Sequence, residues 1–272
     1  MHEQDPLPAP ATRHLPDDGE GSSYILSVLS EILKLRSTSQ GEAQGVIQVS
    51  IDMCCEALMY GTRADALAHF DTLLARGLPI AALVETVFPH CALRLGQLWA
   101  DDVMSFADVS IGTSMLHVAL RHVHGRYVQD APVGTGSRVL LFALEGETHL
   151  FAPLLMSAML ERAGHRVTQK SGVTREQCLQ IAATVPHDVV GISIGKPEEP
   201  ARLAEVLIGV RAFSNAPIMV GGPGLPREIP TVLLPLVDFW NSDPTNVLEF
   251  VKNCGASPCS DARTQNAAFR DG

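Results

Sequence analysis

The sequence predicts an all-α region joined to an α/β region: a helical bundle followed by a doubly wound parallel sheet of five strands. Apolar residues recur with a period near 3.6 up to about residue 127, which is typical of amphipathic helices. Beyond residue 137, short β-rich runs alternate with helical stretches, and this alternation favours a parallel sheet with helices on both faces. With 46% hydrophobic and 18% charged residues among 272, the chain can bury a sizeable core.

The first half of the chain is predicted to hold a disordered tail, residues 1–22, and a helical bundle, residues 23–128. The tail has four prolines, five acidic residues and few apolar side chains that could offset the entropy of ordering. Apolar stripes indicate the bundle helices: Ile25, Leu29, Ile32 and Leu33; Ile47, Ile51, Cys54 and Leu58; Leu67, Phe70 and Leu74; Leu83, Val87, Cys91, Leu95 and Leu98; Met115, Leu116, Ala119, Leu120 and Val123.

Helix ends in the bundle are indicated by capping residues and prolines. Thr62 is a predicted N-cap, and Ser105 with Asp108 three residues later resembles a capping box. Pro79 suits the first turn of a helix. Pro89, inside the same apolar pattern, is predicted to kink it.

The second half of the chain is predicted to be a linker, residues 129–137, an α/β domain, residues 138–254, and a flexible tail, residues 255–272. The linker is rich in turn formers. Strands are predicted at 139–144, 165–169, 188–194, 217–220 and 237–240, and helices near 151–163, 174–184, 199–213, 226–234 and 244–252. Five such units predict a small flavodoxin-like domain, whose ligands bind at the carboxyl ends of the strands.

The charge balance excludes some classes of function. The formal net charge of -10 should repel polyphosphate, so wrapping of DNA or coating of RNA is not expected. Any contact with DNA is therefore expected to be indirect, through a partner protein. The chain has no P-loop, no Gly-x-Ser-x-Gly elbow and no dinucleotide fingerprint after a strand, which disfavours nucleotide chemistry and acyl transfer.

The sequence shows no signal for secretion, membrane insertion or a disulfide scaffold. No cationic segment is followed by an apolar run, and no apolar stretch is long enough for a membrane span. The six cysteines are sparse and form no Cys-x-x-Cys pair, so reduced, buried thiols are predicted. A cytoplasmic protein without a membrane partner is therefore expected.

The loop after the first predicted strand holds an acid and a histidine two residues apart, Glu147 and His149. A histidine there can offer one ring nitrogen to a metal, while a nearby carboxylate accepts the proton of the other nitrogen and fixes the tautomer. The alternative is a loop histidine that only hydrogen-bonds its own surroundings.

Two further features lie at the same predicted sheet edge. Strand three ends with Ser193 and Gly195, and strand four ends with Gly221 and Gly222. Glycine lets the backbone approach a bulky ligand, although it is also an ordinary turn residue. Together these positions predict a slot lined by small residues, with the His149 imidazole at its mouth.

These residues resemble the motifs of the cobalamin-binding domain family, which has Asp-x-His-x-x-Gly after strand one, a serine after strand three and Gly-Gly after strand four. The resemblance implies that His149 is the axial ligand of cobalt, that Glu147 holds its ring, and that Ser193, Gly221 and Gly222 line a pocket for the cofactor tail. Two positions depart from the motif. Glu147 replaces the usual Asp, and Ala152 stands in place of the motif glycine, where cofactor and backbone meet.

The bundle carries a second resemblance. Its Leu-Gly-Gln-Leu-Trp run ending at Trp99, followed by Ser105-Phe-Ala-Asp-Val, looks like the helical module that precedes cobalamin domains in methyltransferases and light-sensing regulators. This implies that Trp99 packs over the upper face of the corrin. Spacing alone instead favours Trp99 as a core residue. The light sensors have a histidine directly after this Trp, where the present chain has Ala100.

The whole arrangement is similar to the PpaA/AerR regulators of purple photosynthetic bacteria. That resemblance implies a corrinoid-binding, light- or redox-responsive antirepressor, not an enzyme, which acts through a PpsR/CrtJ-type repressor of photosynthesis genes. The cobalamin form, hydroxo or adenosyl, and homo-oligomer formation are left open. So are three alternatives: a haem-binding sensor, since histidine also binds iron; a corrinoid methyl carrier of a methyltransferase system; and an interaction scaffold that has lost its cofactor.

The remaining histidines are assigned no role. His117, His122 and His124 lie near the end of the last bundle helix without thiolate companions at ligand spacing, so a zinc site is disfavoured. His165 and His187 precede strands and are predicted to be surface residues.

Overall fold

The computed structural model describes residues 51–133, 136–196 and 198–256, except for the side chains of residues 255 and 256. The predicted tail at 1–22 and the apolar stripe at 25–33 lie outside these residues. The described chain begins in helix α1, which includes residues 51–60. Two more bundle helices are α2, Arg63–Ala75, and α4, Phe106–Tyr127.

Helix α3, between α2 and α4, contains a π-helical turn. It runs through Ile80–Ala82, the π turn Leu83–Val87 and Phe88–Ala100. The turn lies directly before Pro89, which has no N–H to offer the carbonyl of Glu85. At the position where a kink was predicted, the structure has a local widening of the helix.

The helix caps predicted for the bundle are confirmed. The side chain of Thr62 accepts a hydrogen bond from Asp65 N–H, and the Asp65 carboxylate accepts from Thr62 N–H, which completes a capping box. The side chain of Ser105 accepts from Asp108 N–H at the start of α4. Both helices therefore begin where local sequence chemistry places them.

The second half forms the predicted flavodoxin-like fold. Five parallel strands, in the order β2-β1-β3-β4-β5, are β1 Arg138–Leu144, β2 Arg166–Val173, β3 Val189–Ser193, β4 Ile218–Gly221 and β5 Phe239–Trp240. The accompanying helices are α5 Phe151–Arg162, α6 Arg175–Thr184, α7 Pro200–Phe213 and α8 Pro244–Ala256. This strand order places a ligand crevice at the carboxyl ends of β1 and β3.

Three local predictions are wrong. The segment near 226–234 is not a helix but a run of turns, because prolines at 226 and 230 remove backbone donors. Helix α8 continues to residue 256, into the predicted flexible tail. His165 is buried rather than exposed, and its Nδ1 accepts a hydrogen bond from Ser137 N–H at 3.0 Å.

One face of the sheet packs against α6 and α7, and the other against α5 and α8. The first face buries Leu140, Phe142, Val190, Ile192, Ile218 and Val220. The second buries Val139, Val189, Met219 and Phe239 with residues of α5 and α8. Because side chains alternate along a strand, each strand contributes to both cores.

Helix α5 has two buried sides. Phe151, Leu155, Ala158 and Met159 belong to the hydrophobic core of the bundle, whereas Leu160 packs with the sheet. The bundle and the α/β region therefore share this helix. The predicted division into domains around residues 129–137 coincides with the end of α4 and the start of β1, and it stays a prediction.

Two predictions from composition can be compared with the described residues. Their five cysteines carry free thiols, and those of Cys54, Cys55, Cys91 and Cys178 are buried. Within the described ranges, no helix combines the length and hydropathy that a membrane span requires.

Candidate functional site

The loop between β1 and α5 is organised around the carboxylate of Glu147. Its Oε1 accepts hydrogen bonds from the backbone N–H of His149 at 2.6 Å and from His149 Nδ1 at 3.0 Å. Its Oε2 accepts from Gly195 N–H, after β3, at 2.6 Å. The side chain is only 7% exposed. One carboxylate thus joins the loops after two adjacent strands.

The surroundings of Glu147 favour its ionised form. Burial opposes ionisation, but the N–H groups of His149 and Gly195 and the His149 ring outweigh it and lower the pKa of Glu147 below its usual 4.5. An ionised carboxylate can only accept hydrogen bonds. His149 Nδ1 must therefore carry the proton that lies between the two side chains.

This tautomer leaves the other ring nitrogen of His149 free to bind a metal. In a neutral imidazole protonated at Nδ1, Nε2 has a lone pair. The His149 side chain is 55% exposed, and among the described residues none bonds to its Nε2. A carboxylate behind the ring also raises the basicity of the ligand nitrogen. The predicted pairing of Glu147 with His149 is present in the structure.

Backbone packing at the sheet edge depends on glycine. A Cβ atom added at Gly195 would collide with His149 Cβ and Glu147 Oε1. Gly222 has φ +116°, and a Cβ there would collide with the backbone of Ile194. The loop after β3 is thus held between the loops after β1 and β4, and neither glycine can be enlarged without moving a neighbour.

Small residues form a row across the sheet at this edge. Ala143 pairs with Ser193, which pairs with Gly221. Ser193 is buried. By alternation along the strands, this row lies on the face covered by α5 and α8. The predicted slot residues Ser193 and Gly221 are therefore neighbours, whereas Gly222 serves the backbone contact.

Two basic side chains anchor the loop after β1. Lys196 Nζ donates to the carbonyl of Gly146 at 3.2 Å, and Arg202 donates to the carbonyl of Glu145 at 3.2 Å. Sequence analysis missed both because these partners are 50 and 57 residues apart and no local motif links them. They hold the loop in place from the α7 side.

Trp99 is not a core residue, so the expectation from spacing is wrong. It is 54% exposed, and its ring contacts Phe106 edge-on at 6.4 Å between centroids. Tyr60 and Val103 near this end of the bundle are also exposed, and the Tyr60 hydroxyl donates to Met104 Sδ at 3.1 Å. We call Tyr60, Trp99, Val103 and Phe106 the bundle-end patch. An exposed aromatic patch on a helical module is a surface that a flat ligand can cover.

The other candidate positions serve packing and ion pairs. Ala152 lies half-buried in the first turn of α5. His117 contacts Phe151 edge-on, while His122 pairs with Asp71 and His124 with Glu161 across helices. No group of three or more His, Cys, Asp or Glu side chains suited to a metal occurs within the described part of the chain.

The Glu147 carboxylate should make stability depend on pH. Its folded-state pKa is lowered, so its contribution to stability is fully present above the ordinary pKa of 4.5 and is lost as the pH falls through the lowered value. Glu147→Gln should therefore be less stable than the parent at pH 7, and the difference should narrow as the pH falls below the lowered pKa of Glu147. Urea denaturation at pH 7 and at a series of lower pH values measures this, with exposed Glu205→Gln as the control. A stability difference between the parent and Glu147→Gln that does not change with pH would contradict a lowered pKa for Glu147.

The fold and the site define a class: a helical bundle on a doubly wound sheet, with a metal-competent histidine at the carboxyl edge. The solved structure of the Methanosarcina barkeri monomethylamine corrinoid protein shares this fold, with a TM-score of 0.62 over 76% of the chain and 98% of that protein, at 12% identity. At this identity the likeness shows the fold alone.

Two curated proteins are similar in sequence. An uncharacterized 20.5 kDa protein of the bchF-crtJ intergenic region of Rhodobacter capsulatus is 28% identical over 46% of the chain. The HTH-type transcriptional repressor CarA of Myxococcus xanthus is 34% identical over 39% of the chain. The matched segments cover 66% and 38% of these two relatives. No protein-family model matches the chain.

Proposed function

We propose that the protein binds a corrinoid, with His149 Nε2 as the lower axial ligand of cobalt. The observation that carries this proposal is the unit formed by Glu147, His149 and Gly195, in which a buried carboxylate holds the Nδ1 proton and leaves Nε2 free. The similarity in fold to a corrinoid protein supports the same ligand.

The residues present suit such a ligand. A neutral imidazole is a good donor to cobalt, and the row of Ala143, Ser193 and Gly221 offers a narrow lining for an extended tail. The bundle-end patch, with Trp99, is proposed to cover the upper face of the corrin. When bound, the corrinoid would supply a metal centre that could respond to light or to redox state.

The proposed role is regulatory, not enzymatic. The protein would act as an antirepressor of photosynthesis genes by binding a PpsR/CrtJ-type repressor. The relative encoded in the bchF-crtJ region and the partial similarity to a repressor support this role. The net charge of -10 favours action through a partner that itself holds the DNA.

A second candidate is a corrinoid methyl carrier. The similarity in fold over 98% of a monomethylamine corrinoid protein favours it. The carrier would need a methyltransferase partner. The two functions share the pocket, so only the partner distinguishes them.

Hydroxocobalamin titration of the purified protein tests ligand binding. The visible spectrum should shift as His149 Nε2 replaces the cofactor's own base, and His149→Ala should abolish the shift. His187→Ala, which removes a half-buried histidine that bonds Ser214, is the control and should retain it. An identical shift in parent and His149→Ala would contradict ligation, and retention of haem instead of corrinoid would favour the haem-binding alternative.

Repressor binding tests the regulatory role. A PpsR/CrtJ-type repressor on its operator should be released when the corrinoid-loaded protein is added, and the extent of release should depend on light or on reductant. By linkage, the repressor should change the affinity of the protein for the corrinoid by the same factor by which the corrinoid changes its affinity for the repressor. Methyl loading of the bound cobalt by a methyltransferase, without any effect on the repressor, would favour the carrier function.

A further inference from the structure

Three cysteine side chains meet in the core of the helical bundle. Cys54 and Cys55 lie in α1 and Cys91 lies in α3, and all three are at most 3% exposed. The Cys91 thiol donates a hydrogen bond to the Cys54 sulfur, and the Cys55 thiol donates to the carbonyl of Cys91 at 3.8 Å. Packing of α1 against α3 thus brings together thiols that are far apart in the sequence. We call these three residues the thiol cluster.

A histidine of a third helix lies against one member of the thiol cluster. His69 of α2 approaches Cys54, with 3.7 Å between its Nε2 and the Cys54 Sγ. The His69 side chain is partly exposed, so Cys54 lies one side chain away from solvent although it is itself buried. A neighbouring imidazole favours the thiolate form of a cysteine, which is the nucleophilic form.

The two partners of Cys54 change its protonation. The hydrogen bond from Cys91 and the His69 ring outweigh the effect of burial and lower the pKa of the Cys54 thiol to about 6. The pKa of Cys91 is raised by its hydrogen bonds to Cys54 and Cys55 and by its burial. At neutral pH the pair therefore consists of a thiolate beside a thiol, the two forms from which a disulfide is made.

We propose that Cys54 is an oxidation site for hydrogen peroxide and that Cys91 completes a disulfide with it. First, the Cys54 thiolate attacks the peroxide and takes one oxygen, which gives a sulfenic acid and releases hydroxide. Then the Cys91 thiol attacks the sulfenic sulfur, an S–S bond forms, and the oxygen leaves as water with the Cys91 proton. Two thiols are oxidised by two electrons while one peroxide is reduced. This reaction needs no bound cofactor.

Cys54 is assigned the first step because it is the α1 thiol that His69 contacts. The Cys55 thiol already donates to the Cys91 carbonyl. Cys54 and Cys55 are not expected to join each other, because adjacent side chains of a helix point about 100° apart around its axis. The expected bond therefore runs between α1 and α3.

The disulfide would change the packing of α1. An S–S bond of about 2 Å is shorter than a contact between two thiols, so its formation draws α1 towards α3. Tyr60, in the same helix, belongs to the bundle-end patch, and its hydroxyl bonds Met104. Oxidation of Cys54 therefore acts on the helix that contributes Tyr60 to this patch.

Hydrogen peroxide treatment of the purified protein tests the assignment. Tryptic digestion without reductant, followed by mass spectrometry, should reveal a linkage between the peptides that hold Cys54 and Cys91, and dithiothreitol should remove it. Cys54→Ala and Cys91→Ala should lose the linkage, whereas Cys55→Ala should retain it. No linkage in the parent would overturn the proposal. A linkage that persists in Cys54→Ala would overturn the assignment of Cys54.

Cys178 is the matched control thiol. It is as buried as the thiol cluster, and burial raises its pKa to about 12. At pH 7 Cys54 should be oxidised about a hundredfold faster than Cys178, because its larger thiolate fraction is only partly offset by weaker intrinsic nucleophilicity. Both rates are measured in the parent, so the comparison does not depend on the folding of a variant. Equal rates would overturn the proposal.

The pH profile of the reaction separates activation of Cys54 from mere burial. The rate of Cys54 oxidation should rise with pH around 6 and then level off, as the thiolate forms. His69→Ala should move this rise to higher pH, because it removes one of the two groups that stabilise the thiolate. A profile that His69→Ala leaves unchanged would contradict a role for this histidine and overturn the assignment.

Discussion

Gly195→Ala is expected to disable the candidate site while the fold persists. The added methyl would collide with His149 Cβ and Glu147 Oε1, so the loop after β1 must move away from β3. That movement separates Gly195 N–H from Glu147 and frees the His149 ring. Overpacking of this kind costs about 1–3 kcal/mol. Loss of the hydroxocobalamin spectral shift, together with a lower midpoint in urea denaturation, is the expected result.

Gly96→Ala is the matched control for this substitution. Gly96 lies in α3, and a Cβ there would meet nothing within 4 Å. Alanine in a helix interior is favoured over glycine by about 1 kcal/mol, so this variant should be as stable as the parent or more so. A Gly195→Ala protein that retains the spectral shift at full strength would show that the loop tolerates displacement and that the Glu147 contact does not hold the ligand.

Asp238→Ala is expected to cause the largest loss of stability among these substitutions. Asp238 is buried before β5, accepts Ile218 N–H of β4 at 2.8 Å and forms an ion pair with Arg211 of α7. Removing it leaves a charged, half-buried guanidinium and an unpaired N–H. Breaking one partner of such a pair costs about 3–5 kcal/mol, measurable by urea denaturation. Arg211 keeps bonds to the carbonyls of Ala216 and Leu236, which favours the lower end of this range.

The chain contains an exposed counterpart of this interaction. Asp188, before β3, accepts Arg138 N–H of β1 at 2.8 Å and pairs with the Arg138 side chain. Its side chain is 38% exposed, against 9% for Asp238. Exposed pairs contribute little and are screened by salt, so Asp188→Ala should cost clearly less. Equal losses for the two variants would show that the bond to the neighbouring strand, not burial of the pair, determines the effect.

Features with short-range causes were predictable from the sequence. The caps at Thr62 and Ser105 depend on the residue three positions later, and the five strands depend on short β-rich runs between helical stretches. The helix predicted near 226–234 failed because the prolines at 226 and 230 remove backbone donors, although the segment is rich in apolar residues. Leu233 is buried in the core that the sheet forms with α6 and α7, and Leu236 packs against that core, although both lie in turns. Apolar content there reflects burial and not a helical period.

The candidate site also contains some contacts that the sequence could predict and others that it could not. Glu147 and His149 lie in one loop, so their contact follows from spacing. The donation from Gly195 N–H to Glu147 requires β1 and β3 to be neighbours, which strand order alone decides. The exposure of Trp99 depends on how α3 packs against its neighbours, and no local pattern encodes it.

Helix α5 begins two residues after His149, and its two sides belong to different cores. Phe151 and Leu155 lie among bundle residues while Leu160 lies among strands, so the helix cannot shift against one core without disturbing the other. The bundle and the sheet are thus joined by shared packing on α5. A displacement of the loop that carries His149 would therefore disturb the packing of both the bundle and the sheet.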